Sequence, residues 1–520
     1  VVAAFGWWLR VGPLLRAGGP LAFPIDYDEG VYFSSAALFV RGHLPYRDFL
    51  YVHPPGLLVL LAPVAGPVAG VFGLGRAFAA ARIVATFVGA ANVVLVGLLA
   101  RRLVRNSGRA DVGADLGAPP GGGLSPGCDN VAGLVAAALY ATFPAAVGVE
   151  RGTFLEPVLN LVVLTGGLAW LRPGPVVKVW DYAAGVALGV AVAVKTWGAF
   201  AIAAVVASVT RRDRQRVERF LAGVAVAAGV LIVPVVVFAP GRFLDDVVRF
   251  QLARPPDGVG RGDRLRFIFE LFWMRDIHDL ATATHVVSST AALVGVVVAI
   301  VRKERFLLAL YGLMLATFLV TPAYYTQYQA HLAVPEVLLA GYAAGVAWHV
   351  LRRVPAARVA MAAVVVIALA LPARIAIFDG RQHSRYVERL ADVVDRIVPP
   401  GDCVYAFEPA WTLAADRLPP GHGVPLVPDS YGSMLWDSVR GGQRYPDAAH
   451  AFEQPPSQAT IRGVIEGCDW LVLGGRGQAQ MSAADDAYVE ANFERVYPPE
   501  GEIGLDLWRR RQRRGVGTEG

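Results

Sequence analysis

Ten apolar runs, set off by short clusters of arginine and lysine, constrain this chain more than any other feature. They fall at 77–99, 130–148, 155–171, 180–194, 196–210, 218–239, 284–301, 306–320, 332–350 and 357–374. A straight helix needs about 20 apolar residues to cross a bilayer, so several of these runs are short. A chain that is 55% hydrophobic and only 17% charged is too apolar for a soluble enzyme and reads as a polytopic membrane protein. Its net charge of +6 is gathered in the clusters between the runs, which points to membrane orientation; no nucleic-acid motif accompanies it.

The clusters set the topology. Arg101, Arg102 and Arg105; Arg172 and Lys178; Arg211, Arg212, Arg214, Arg216 and Arg219; Arg302, Lys303 and Arg305; and Arg352 and Arg353 all belong on the cytoplasmic side. The runs between them then pair, and the loops 24–55, 144–156, 240–283 and 321–331 face outward. The 240–283 loop carries seven basic and seven acidic residues and does not oppose this. The same parity makes 180–210 turn back, with Lys195-Thr196-Trp197-Gly198 as the outer turn. It also makes the Pro/Gly-rich segment 57–75 re-entrant or interfacial, since a further crossing would put Arg101 outside. Residues 1–23, broken by Arg10 and Arg16, read as a weak first span, and the Gly/Pro-rich stretch 106–129 as a flexible cytoplasmic linker. The expected fold class is a polytopic α-helical membrane domain over 1–374 with about ten or eleven spans.

Past 375 the pattern changes. A helix at 385–398, a strand at Cys403–Phe407, a helix at 457–467, a strand at Asp469–Leu473, a helix near 483–493 and two short strands ending at Trp508 describe a small α/β domain, 375–520. Parity places it on the outer side. Cys403 and Cys468 each begin a strand of that domain; a disulfide and two unpaired core thiols are both compatible with their positions. No Cys/His spacing suggests zinc.

The first outer loop is the chemically informative part. It holds Asp26-Tyr27-Asp28-Glu29-Gly30, then Gly42-His43-Leu44-Pro45-Tyr46-Arg47-Asp48, then His53-Pro54-Pro55-Gly56. Carboxylates this close to hydrocarbon need a task or a water-filled cavity, because burying an ionised group costs several kcal/mol. These motifs resemble those of membrane glycosyltransferases of the GT-C fold, especially the family 39 protein mannosyltransferases and the aminoarabinose-transferase-like group. Looser matches lie at Thr153–Pro157, Lys195 and Tyr325–Pro335, and in Pro400–Val404 of the tail. The resemblance implies a sugar moved from a polyprenyl-phosphate donor to an acceptor on the outer face.

The residues fit that chemistry. A phosphate leaving group needs little protonation, so one carboxylate acting as general base on the acceptor hydroxyl suffices. Asp28 is the expected base by its match to the first residue of the Asp-Glu pair, with Glu29 orienting the acceptor or stabilising nearby donors. Asp26 competes for either role, and Asp26 or Asp28 could instead cap the following helix. Lys195 and Arg151 are expected to meet donor phosphate; Arg249 and Arg254 are further candidates, for which snorkelling to headgroups is the favoured reading. His53 could bond donor or acceptor. Tyr324, Tyr325, Tyr328 and His331 could line a sugar pocket or form an interfacial aromatic belt. Glu156 opens a span and could face a central cavity.

A divalent metal on Asp26, Asp28 and Glu29 is conceivable. The related oligosaccharyltransferases use one with diphosphate donors, whereas monophosphate-donor relatives generally do not, so no cofactor is expected. The expected partners are the lipid-linked donor, a glycan, lipid or protein acceptor, and membrane lipids. The Ala/Val/Gly/Arg-rich composition suggests a GC-rich genome, and the resemblance implies a bacterial plasma membrane. A transporter or flippase for a lipid-linked precursor is the rival reading, but it would favour ionisable residues at the midplane within inverted repeats, and no repeat is visible. A non-catalytic scaffold is a third.

Overall fold

The computed structural model describes residues 1–16, 18–114, 127–172, 178–209, 213–257, 259–269, 280–351, 354–381, 386–418, 424–497 and 505–511. Arg211, Arg212, Arg352, Arg353 and the middle of the 106–129 linker lie outside them. Every one of the ten apolar runs is helical. Leu74–Ser107, Arg214–Val236 and Gln329–Val350 are long and apolar enough to cross a bilayer by length and composition, and shorter apolar helices accompany them. Small residues let these helices approach closely: Gly185 and Gly189 of helix Lys178–Val194 face the backbone of helix Arg214–Val236 around Phe220 and Val224, where a Cβ would collide.

One end of the bundle is basic. Arg102 and Arg216 donate to the Leu168 and Trp170 carbonyls, and Asn106 Nδ2 donates to the Leu171 carbonyl at 3.0 Å. These are the orphan acceptors closing helix Leu155–Trp170, where cations are favoured. Arg105 pairs with Asp129 at 2.6 Å, and Arg216 and Arg219 both hold Asp181 at 2.8 Å. So arginines from the basic clusters also cap helix ends.

The other end carries the first loop and the C-terminal region. The run 180–210 breaks as expected: one helix ends at Val194 and the next is Gly198–Ser208, with Lys195 in the turn. The segment 57–75 forms apolar helix Gly56–Phe72 with a wider π turn at Val64–Val68, between Pro63 and Pro67. Its start, Gly56, abuts Ala193 and Val194 beside the Lys195 turn; just past its end, Gly75 N–H donates to Asp416 of the C-terminal region at 2.8 Å. Both ends therefore lie at the same end of the bundle.

Two expectations need correction. Arg10 does not break the first helix, which runs Val2–Leu14: its guanidinium is fully buried and pairs with Glu150 at 2.6 Å, so the charge is neutralised where it sits. Glu150 also accepts from Asn92 Nδ2 at 2.7 Å and the Tyr140 hydroxyl at 2.9 Å.

The last membrane-type helix, Pro355–Asp379, runs past residue 374, and a small sheet follows. Strands β1 (Val404–Ala406), β2 (Trp470–Gly474), β3 (Phe493–Tyr497) and β4 (Leu505–Arg510) lie in the order β1-β2-β4-β3. β1 and β2 are parallel; β2–β4 and β3–β4 are antiparallel. Alternation puts Tyr405, Leu471 and Leu473 in one core with Ile461 and Val464, and Val404, Ala406, Trp470 and Val472 in another with Leu390 and Val394. Both faces of the sheet are covered. Cys403 and Cys468 form a disulfide joining the starts of β1 and β2. Helix Ser430–Val439, which sequence reading missed, carries little apolar pattern through Ser-Tyr-Gly-Ser; the helix-capping Asp429 before it was the available signal.

Candidate active site

The first loop owes its shape to its own motif. Tyr46 adopts φ 67°, its N–H donates to the Phe49 carbonyl at 2.9 Å, and its hydroxyl donates to the His53 carbonyl at 2.6 Å. Asp48 accepts from the Leu44 N–H at 2.7 Å. The Pro-Tyr-Arg-Asp-Phe stretch is thus scaffolding that positions His53.

Helix Tyr27–Val40 starts with a capping box. Asp26 accepts from the Asp28 N–H at 3.0 Å, and Glu29 accepts from the Asp26 N–H at 3.2 Å. Glu29 then turns into the bundle, pairs with buried Arg82 at 3.0 Å and accepts from the Thr153 N–H at 3.2 Å. It does not line the cleft, so it anchors the loop and is not placed to orient an acceptor. Asp26 and Asp28 line the cleft, and Glu29 is turned away from it.

Asp28 points the other way, half-buried in a cleft of about 220 Å³. The cleft also takes in Asp26, His53, Glu156, Lys195, Arg254 and Tyr328, together with Asp429, Tyr431 and Arg476 from the C-terminal region. Asp28 accepts from Gln327 Nε2 at 3.0 Å. Its pKa is pushed up to about 7, chiefly by burial, then by the charges of Asp26, Asp429 and Glu156, with Lys195 opposing. A carboxyl so poised can hold or release a proton near neutrality.

Lys195 is buried at its turn, 2.6 Å from Glu156 and 3.6 Å above the Trp197 ring. Arg254 lies in the cleft, donating to the Tyr325 hydroxyl at 2.7 Å, and among the described residues its Nε has no hydrogen-bond partner. Snorkelling does not describe it, whereas Arg249 is exposed and pairs with Asp245 at 2.5 Å. Arg476 stacks over Tyr27 at 4.0 Å, and Tyr27 donates its hydroxyl to Asp429 at 2.9 Å. His53 Nε2 is 3.4 Å from the Tyr32 hydroxyl; burial, with Lys195 and Arg254 nearby, holds its pKa well below the usual value. Its ring is therefore neutral.

Besides Glu29, two predicted site residues are elsewhere. Arg151 is buried, donates to the carbonyls of Leu9 at 2.9 Å and Ala376 at 3.0 Å, and lies over the Phe23 ring, so it ties the first and last membrane helices together. His331 sits below the cleft, 2.6 Å from Asn160 Oδ1 and stacked on Trp197. Tyr328 does line the cleft, edge-on to Trp197 at 4.4 Å. Asp429, Tyr431, Arg476, Gln251 and Gln327 were not foreseen.

Comparison with solved structures defines the class first. ArnT from Cupriavidus metallidurans bound to undecaprenyl phosphate aligns with 98% of this chain and 97% of its own at 14% identity and a TM-score of 0.58. Its apo state aligns with 98% of this chain and 96% of its own at 13% identity and the same TM-score of 0.58. The S. cerevisiae protein O-mannosyltransferase Pmt1-Pmt2 complex bound to the sugar donor aligns only in part, over 50% of this chain and 38% of that one, at 18% identity and a TM-score of 0.33. The fold is GT-C, and the chain is an integral membrane protein. The sequence model of glycosyltransferase family 87 matches residues 51–322, and the chain belongs to that family. No curated protein matches it significantly.

Proposed function

We propose that this glycosyltransferase moves a sugar from a polyprenyl monophosphate to an acceptor hydroxyl with inversion, on the outer face of a bacterial plasma membrane. The observation that carries the reading is the cleft in which Asp28, poised near neutrality, shares one small space with Lys195 and Arg254. Asp28 removes the acceptor proton as the acceptor oxygen attacks the anomeric carbon from the face opposite the phosphate. The bond between that carbon and the phosphate oxygen breaks, and the polyprenyl phosphate leaves with its electron pair. The open donor of Arg254 and the charge of Lys195 meet the phosphate, while neutral His53 and Tyr328 border the sugar. ArnT, of the same fold, binds undecaprenyl phosphate, which supports this donor class. With two cations at the leaving group, the mechanism needs no metal.

The orientation rests on the separation of ends. The arginine-rich end faces the cytoplasm, so the first loop and the region after 379, an α/β unit, face outward, joined by about ten or eleven spans. Family membership sets the transporter reading aside. Purified protein in micelles, given radiolabelled polyprenyl-phosphate sugars one at a time, should release or transfer label from at least one of them, and an Asp28→Asn variant should not. A panel that yields no turnover, with none of the lipids bound, would refute the donor assignment.

A further inference from the structure

A second, larger cleft of about 510 Å³ lies beside the first, and its described lining includes three arginines and four aspartates. Three chain segments wall both clefts. The 46–53 loop gives Phe49 to one and His53 to the other; the 245–254 segment gives Asp246 and Arg254; the 430–439 helix gives Trp436 and Tyr431. Trp436 and Phe250 meet edge-on at 6.0 Å across this shared wall. Resting on the donor reading above, we infer that the larger cleft holds the carbohydrate part of the acceptor, adjacent to the carbon where transfer occurs.

The chemistry of the lining selects that ligand class. An anion is disfavoured, because the arginines are already engaged: Arg249 with Asp245 at 2.5 Å, Arg440 with Asp437 at 3.5 Å, and Arg242 with the Arg47 carbonyl at 3.1 Å. A lipid tail is disfavoured by four carboxylates. What remains is a neutral, polyhydroxylated ligand, whose hydroxyls both donate and accept and whose ring face suits an indole. Asp246 is 5% exposed; it accepts from the Tyr51 N–H, and the Arg242 charge lies near it. Burial raises its pKa to about 7, so it can accept from a sugar hydroxyl or donate to one.

The test uses the full chain in micelles on immobilised oligosaccharides, and separately on the same glycans carried by lipid anchors in phosphatidylcholine vesicles. The wild-type protein should capture a subset of glycans. Trp436→Ala and Asp246→Asn should weaken capture by about tenfold or more, the loss expected for one or two unmade contacts. Asp437→Ala is the third lining substitution. Undecaprenyl phosphate binding is measured on every variant as the sign of an intact donor cleft. Capture of free glycans means the sugar alone suffices, and capture only from vesicles means a glycolipid; either outcome supports the inference. No capture in either format, or capture that none of the three substitutions alters, overturns it. Loss of undecaprenyl phosphate binding by the wild type would overturn the donor reading instead, and glycan capture would still decide this inference.

Discussion

Asp28 and Glu29 are neighbours on the first turn of one helix, and they do opposite things. Glu29, 2% exposed, has its oxygens taken by Arg82, by the Asp26 N–H and by the Thr153 N–H. Glu150, also buried, is likewise shared by Arg10, Asn92 and Tyr140. These carboxylates are saturated and hold helices in register. Asp28 has one neutral side-chain donor, Gln327, and acidic company. Burial raises the pKa of both Glu29 and Asp28. In Glu29 this is opposed by Arg82 and two N–H donors, whereas Asp28, left short of partners, faces a cleft where it can exchange a proton with a ligand.

The comparison predicts a sharp contrast. Asp28→Asn should lower turnover by about 10²–10⁴, the usual contribution of a positioned base, with undecaprenyl phosphate binding and thermal stability kept. In the wild type, kcat/KM should rise with pH below about 7, where Asp28 is still protonated, and level off above. A flat profile across that range would remove Asp28 from the base role. Glu29→Gln should instead act on stability, because Arg82 is left buried without its counter-charge; a loss of about 3–5 kcal/mol, read from thermal unfolding in micelles, is expected, with turnover per folded molecule largely kept. Unchanged stability with lost turnover would put Glu29 back among the reacting groups. Arg254→Ala should weaken undecaprenyl phosphate binding by about 10- to 100-fold, the worth of a hydrogen bond to a charged group. Equal affinity would leave Lys195 as the sole phosphate partner. Asp26→Asn should matter least, changing stability by less than about 0.5 kcal/mol, since asparagine caps a helix nearly as well as aspartate.

Much of the fold was legible because bilayer physics writes it locally. Each apolar run became a helix, and parity placed the turn at Lys195. The strands of the tail were readable from short alternating runs. The site was legible only where its residues sit in one stretch: Asp26, Asp28 and His53 line the cleft as their spacing suggested. Arg151 misled because a cation in an outer loop reads the same whether it faces a cleft or the Leu9 and Ala376 carbonyls. Arg10 misled because its partner, Glu150, lies 140 residues away. The same holds for Asp429, Tyr431 and Arg476, which reach the cleft by tertiary contact with no local sequence mark.

The bond from Tyr27 to Asp429 joins residues 402 apart in sequence. A ribosome makes the first loop and the membrane helices well before it makes the far wall of the cleft. The nascent chain can therefore be inserted, with its helices packed, and still be catalytically silent. Competence arrives only when the last part of the chain has been made and has docked. A truncation after residue 379 should accumulate in membranes as an inert bundle. A cell that depends on this enzyme has a built-in delay between insertion and the first sugar transferred.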